Sequence, residues 1–63
     1  MNFQKFSKMT GIKRTDVVTL CQTPTNPENE TPLVDWLDEG DYDGDETAES
    51  LAAEWDEVNS ANR

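Results

Sequence analysis

The chain holds no histidine and a single cysteine, Cys21, against fourteen aspartates and glutamates. Nucleophilic catalysis needs an activated side chain with a base beside it, and zinc ligation needs several nitrogen or sulfur donors. Neither set is present in the sequence. Carboxylates are abundant, and six of the nine positions from Asp38 to Glu46 are acidic: Asp38, Glu39, Asp41, Asp43, Asp45 and Glu46. Carboxylates on a solvated loop titrate near their ordinary values and cannot be tuned apart into an acid and a base. An enzymatic role and a bound cofactor are therefore not expected.

One metal pattern can be laid over this segment. With Gly44 as the sharp-turn glycine of a calcium loop, Glu39, Asp41 and Asp43 fall at positions one, three and five. The pattern then departs from the rule, because the closing bidentate Glu is replaced by Ser50, Glu49 comes one residue early, and Glu46 stands at the usual aliphatic position. An EF-hand-like calcium-binding hairpin is kept as an alternative, and no metal ligands are assigned.

Charge along the chain is segregated. Before Pro24, Lys5, Lys8, Lys13 and Arg14 face one acid, Asp16, a net of +3; from Pro24 onward thirteen acids face Arg63, a net of −12. A polyanionic surface is repelled by phosphate backbones and attracted to basic protein surfaces. Carboxylates three or four residues apart on a helix advance about 4.5 to 6 Å, near enough to the roughly 3.4 Å phosphate spacing of one DNA strand for an acidic helix and loop to mimic DNA. The plainer reading is that the acids keep a small, apolar-poor chain soluble.

The leading expectation is a non-enzymatic protein that binds and inhibits a larger protein with a basic surface, such as a nucleic-acid-processing enzyme. Its contact residues would be Asp38, Glu39, Asp41, Tyr42, Asp43, Asp45, Glu46, Glu49, Asp56 and Glu57. The carboxylates would pair with Lys or Arg, and Tyr42, set among acids, would add exposed apolar area. Direct nucleic-acid binding is not expected of the acidic segment. In size and charge the chain resembles the small inhibitors that phages and mobile elements direct at host enzymes, a likeness carried by composition alone.

The basic segment offers a second alternative. Small Ser7, Gly11 and Ile12 at a turn, then Val17 and Leu20 at helical spacing, match a helix-turn-helix unit whose Lys13, Arg14, Thr15 and Thr19 would face a DNA major groove. The nearby charge of −12 weighs against it.

These residues need elements to hold them. Phe3, Phe6 and Met9 mark one face of a short helix from Asn2 to Thr10, stopped by Gly11. Over Thr15 to Cys21 the β-branched run Val17, Val18, Thr19 favours a strand, whereas Val17, Leu20 and Cys21 fit a helix equally well. Residues 23–30, with Pro24 and Pro27, read as a linker. Thr31 is placed as the N-cap of a helix with Pro32 at its first position, Leu33, Trp36 and Leu37 on one face, and Gly40 as its stop. Asp45 is placed as the cap of a last helix from Glu46 to about Val58. Its apolar arc would hold Ala48, Leu51, Ala52, Trp55 and Val58, and its opposite side Glu46, Glu49, Asp56 and Glu57. Trp36 and Trp55 should form the core with Leu33, Leu37, Leu51 and Val58.

The expected fold is thus mainly α, one small domain over residues 1–63 of three to four short helices. It divides into a basic N-terminal segment (residues 1–22), the linker (23–30) and an acidic helical hairpin (31–63) with an acidic loop. At 63 residues and with only 33% apolar content, such a chain buries about 60% of its unfolded surface and has little stability to spare. A lone cysteine, the lack of a signal-like apolar stretch and the lack of a membrane-length segment point to a cytoplasmic protein without membrane association.

Overall fold

The computed structural model describes residues 1–23 and 31–61, and they form four helices with no strand among them. These are α1 (Phe3–Thr10), α2 (Arg14–Leu20), α3 (Thr31–Glu39) and α4 (Ala48–Ala61). Packing is interleaved, with α1 against α3 and α2 against α4.

Local chemistry accounts for the ends of α1. Asn2 caps it by accepting the Lys5 N–H through Oδ1 at 2.9 Å. At the other end Gly11 takes φ +81°, a left-handed conformation open to glycine, and returns its N–H to the Ser7 carbonyl at 2.8 Å. Thr10 seals the turn: its hydroxyl donates to the Phe6 carbonyl at 2.8 Å and accepts from the Ile12 N–H at 3.3 Å.

The strand alternative for 15–21 is overturned, since this segment belongs to α2 up to Leu20. A strand needs a neighbour to pair its backbone groups. The helix satisfies them internally. The Asp16 carboxylate accepts the Lys13 N–H at 3.2 Å at its start, and the Cys21 N–H is shared between the Val17 and Val18 carbonyls at its end. Burial of Val17, fully enclosed, then outweighs the modest helix penalty of β-branching.

Thr31 lies inside α3 as its first helical residue and is not a flanking cap. The linker expectation falls, apart from Thr23, outside the described residues. The last helix also begins later than its acids imply. Thr47, not Asp45, caps α4: Thr47 Oγ1 accepts the Ser50 N–H at 3.1 Å, and Ser50 Oγ accepts the Thr47 N–H at 2.9 Å. This reciprocal pair has the logic of a capping box and leaves Glu46 outside the helix.

The core consists of Phe3, Phe6, Val17, Leu33, Leu37, Tyr42, Leu51, Ala52 and Trp55, with Trp36 partly buried against it. Trp36 and Trp55 pack together with ring centroids 5.5 Å apart. Val58, expected in this cluster, is 42% exposed, because the buried stripe of α4 ends at Trp55. No described helix is long and apolar enough to cross a membrane.

The cap assignment has a direct test. Thr47→Ala should cost about 1 kcal/mol, lowering the Tm by roughly 4 to 8 °C in a domain of this size, while Asp45→Ala should leave it nearly unchanged. Equal effects in thermal melts followed by circular dichroism would contradict the Thr47 cap.

Candidate functional site

Between α3 and α4 the chain runs through the acidic segment, and several contacts fix its course. Tyr42 turns inward. Its ring stacks on Phe6 with centroids 4.7 Å apart and planes inclined by 26°, and meets Phe3 edge-on at 5.8 Å and 70°. The hydroxyl donates to the Leu37 carbonyl at the end of α3. The expectation of Tyr42 as an exposed contact is thereby corrected: only 6% of it is exposed, and it is a core residue. The two phenylalanines of α1 outcompete water for its ring.

Glycines make this path available. A Cβ on Gly40 would lie 2.5 Å from the Tyr42 hydroxyl, so the ring can pass only beneath a residue without one. Gly44 has φ +95°, and a Cβ there would also meet the Met9 methyl at 2.9 Å. Glu46 completes the turn. Its two carboxylate oxygens accept the Asp43 and Gly44 N–H groups, each at 3.0 Å, and the Asp43 N–H is the main cause holding its carboxyl below the usual range, against a smaller opposing effect of burial.

The consequence is an array of outward carboxylates on an ordered backbone. Asp41, Asp43 and Asp45 are exposed, as are Glu39 at the end of α3 and Glu49 and Glu57 on α4. Asp41 lies 3.6 Å from the amino-terminal ammonium, and its side chain is 99% exposed.

The remaining expected contacts are engaged within the fold. Asp38 pairs with Arg14, whose guanidinium also sits 5.8 Å over the Phe3 ring. Asp56, expected on the outer side of α4, accepts the Gln22 N–H at 2.8 Å and the Thr23 N–H at 2.6 Å. Those backbone donors, Gln22 first, hold its carboxyl below the ordinary range and tie the chain beyond α2 to α4. Burial, followed by the Asp56 charge, pushes the Cys21 thiol up.

Glu54 was not among the expected residues. It lines a cleft of about 130 Å³ with Trp36, Gly40, Asp41, Tyr42, Glu46 and Leu51. The signal was in the sequence: Glu54 lies three residues after Leu51, on the flank of the buried stripe. The calcium alternative bears on the same loop. Among the described residues no three of Asp, Glu, Cys and His converge as metal ligands, and Ser50, at the closing position, is committed to the helix cap.

Comparison of the chain with protein-family models, with curated proteins and with solved structures returns no match. What the fold defines is therefore a class only: a small, mainly helical protein with four helices among the described residues and an acidic loop between α3 and α4.

Tyr42 gives this loop a spectroscopic handle, being the only tyrosine. Burial first, then the charges of Asp38, Glu46 and Glu54, push its phenol up to about 12, with Arg14 opposing. A pKa raised by folding stabilises the native state fully below the unfolded value near 10, and that contribution is lost as pH climbs toward 12. Absorbance at 295 nm should accordingly show ionisation near pH 12 in the folded chain. A midpoint near 10 with the fold intact would mean that the ring is not buried.

Proposed function

We propose that this chain is a non-enzymatic binding protein that docks its acidic loop and the adjoining face of α4 on the basic surface of a larger protein, one that handles nucleic acid, and competes there with the nucleic acid for that surface. The observation that carries the reading is the ordered presentation of Asp41, Asp43 and Asp45. Their backbone is already fixed by Tyr42, Glu46 and Gly44, so binding need not order it. Like charges held together at a cost in self-repulsion are compensated when a partner supplies Lys or Arg.

The cleft beside this array supports the same reading. Trp36 is half-buried, and with Asp41 and Glu54 it offers an aromatic wall beside carboxylates, a setting that suits one lysine or arginine of the partner. Glu39, Glu49 and Glu57 would form a screened outer rim that speeds encounter more than it tightens the complex. Asp38, Glu46 and Asp56 serve the fold, so their loss would act on binding through the scaffold: Glu46 through the loop, Asp38 and Asp56 through their ties to Arg14 and to the chain beyond α2. Covering a basic surface with carboxylates in place of phosphates is the sense in which DNA mimicry enters this proposal.

Affinity capture from a bacterial lysate at low salt, with salt-gradient elution, would identify the partner. For that complex, replacing Asp41, Asp43 and Asp45 together by Asn should weaken binding by roughly tenfold, at about 0.5 kcal/mol per exposed charge. The fold should be unaffected. A complex whose affinity ignores both salt and this triple substitution would sink the electrostatic docking idea.

A further inference from the structure

On a chain with a net charge of −9, the groove between α1 and α2 has the opposite character. It measures about 600 Å³ and is lined by Phe3, Gln4, Ser7, Lys8, Lys13, Arg14 and Thr15. Every polar side chain on this wall can donate a hydrogen bond, and no carboxylate among the described residues lines it. The two nearest in sequence and contact are turned to other uses: Asp16 accepts the Lys13 N–H, and Asp38 holds Arg14.

The groove is separate from the acidic loop. At about 100° per residue, Phe3, Ser7, Gln4 and Lys8 occupy one flank of α1, whereas Met9, whose methyl lies against Gly44, points to the other. The groove and the Gly44 end of the acidic loop therefore lie on different flanks of α1. The backbone around the groove also has a recognisable order: helix, a turn of Gly11, Ile12 and Lys13 opened by a left-handed glycine, then a second helix anchored by buried Val17. That is the order of helix-turn-helix units, which lie along duplex DNA.

We propose that this groove docks on the phosphate backbone of duplex DNA, with Lys8 and Lys13 as the cationic contacts and Gln4, Ser7 and Thr15 as neutral donors. Arg14 is a wall of the groove and not a reader of bases, because Asp38 and the Phe3 ring already hold it. Binding is consequently tolerant of sequence, since phosphate contacts position a protein without selecting bases. This goes beyond the acidic docking surface and does not depend on it. Where both hold, the groove keeps the chain on the DNA at which its protein target works.

The test is fluorescence anisotropy of a labelled 20-base-pair duplex titrated with the full chain at 50 and 200 mM salt. Two neutralised phosphates predict an affinity that falls about 12-fold between these salts. The double variant K8Q/K13Q, checked for native circular dichroism, should abolish most of that salt dependence and weaken binding at 50 mM by at least tenfold. K5Q, an exposed lysine outside the groove lining, should change affinity less than threefold. Unchanged binding in K8Q/K13Q, an equal loss in K5Q, or preference for a single strand of the same length would each overturn the proposal. So would the absence of duplex binding together with a low-salt dimer, seen by sedimentation, that K8Q/K13Q dissolves, since the groove would then hold the acidic loop of a second copy. The partner-capture experiment reads the other surface, so the failure of either proposal leaves the other standing or falling on its own result.

Discussion

Burial of one phenol ring among acidic residues organises this molecule. Tyr42 comes from the most highly charged stretch of the chain and is drawn under α1 by Phe3 and Phe6, while its hydroxyl closes on the carbonyl end of α3. In that position it joins three things: the aromatic core, the C-terminus of α3 and the path of the loop leading to α4. The Leu37 carbonyl at this helix end accepts the Gly40 N–H at 3.4 Å, and the phenol gives it a second donor from outside the helix. The acids on either side of the ring are left facing outward as a geometric result of its inward turn.

The rest of the loop repeats this economy of short-range bonds. Glu46 uses its charge on two backbone N–H groups, Thr47 and Ser50 cap each other across the first turn of α4, and Asp56 reaches across to the end of α2. Three acids that look alike in the sequence therefore differ in role from Asp41, Asp43 and Asp45. Asp38, Glu46 and Asp56 are parts of the scaffold. The others contribute charge to its surface.

Much of the helical fold was legible in the sequence. Phe3 and Phe6 at a spacing of three, Leu33 and Leu37 at four, and Leu51, Ala52 and Trp55 on one arc all lie buried where periodicity puts them. What periodicity does not reveal is set by contacts distant in sequence. Nothing local marks Tyr42 as buried, since its neighbours are aspartates and glycines and its ring partners lie more than thirty residues away. The β-branched run of α2 is ambiguous for the same reason: Val17 is decided by the core it enters, not by its own preference. Asp45 and Thr47 are both good caps, and the choice between them turns on Ser50 returning the hydrogen bond. For the candidate site, the density of acids is evident, but their division into structural and free groups depends on which backbone N–H groups lie within reach.

The interleaved packing, α1 on α3 and α2 on α4, bears on how the chain reaches this state. Apart from the Trp36–Trp55 pair inside the hairpin, the main helix contacts join the basic first pair of helices to the acidic second pair. Contacts that join residues far apart in sequence exact loop-closure entropy before they return any stabilisation. Much of the packing therefore forms only when the two halves, so different in charge, meet. Their opposite net charges give that meeting an attractive bias while the chain is still unfolded, so the segregation that shapes the finished surface also favours the first collapse of the polypeptide.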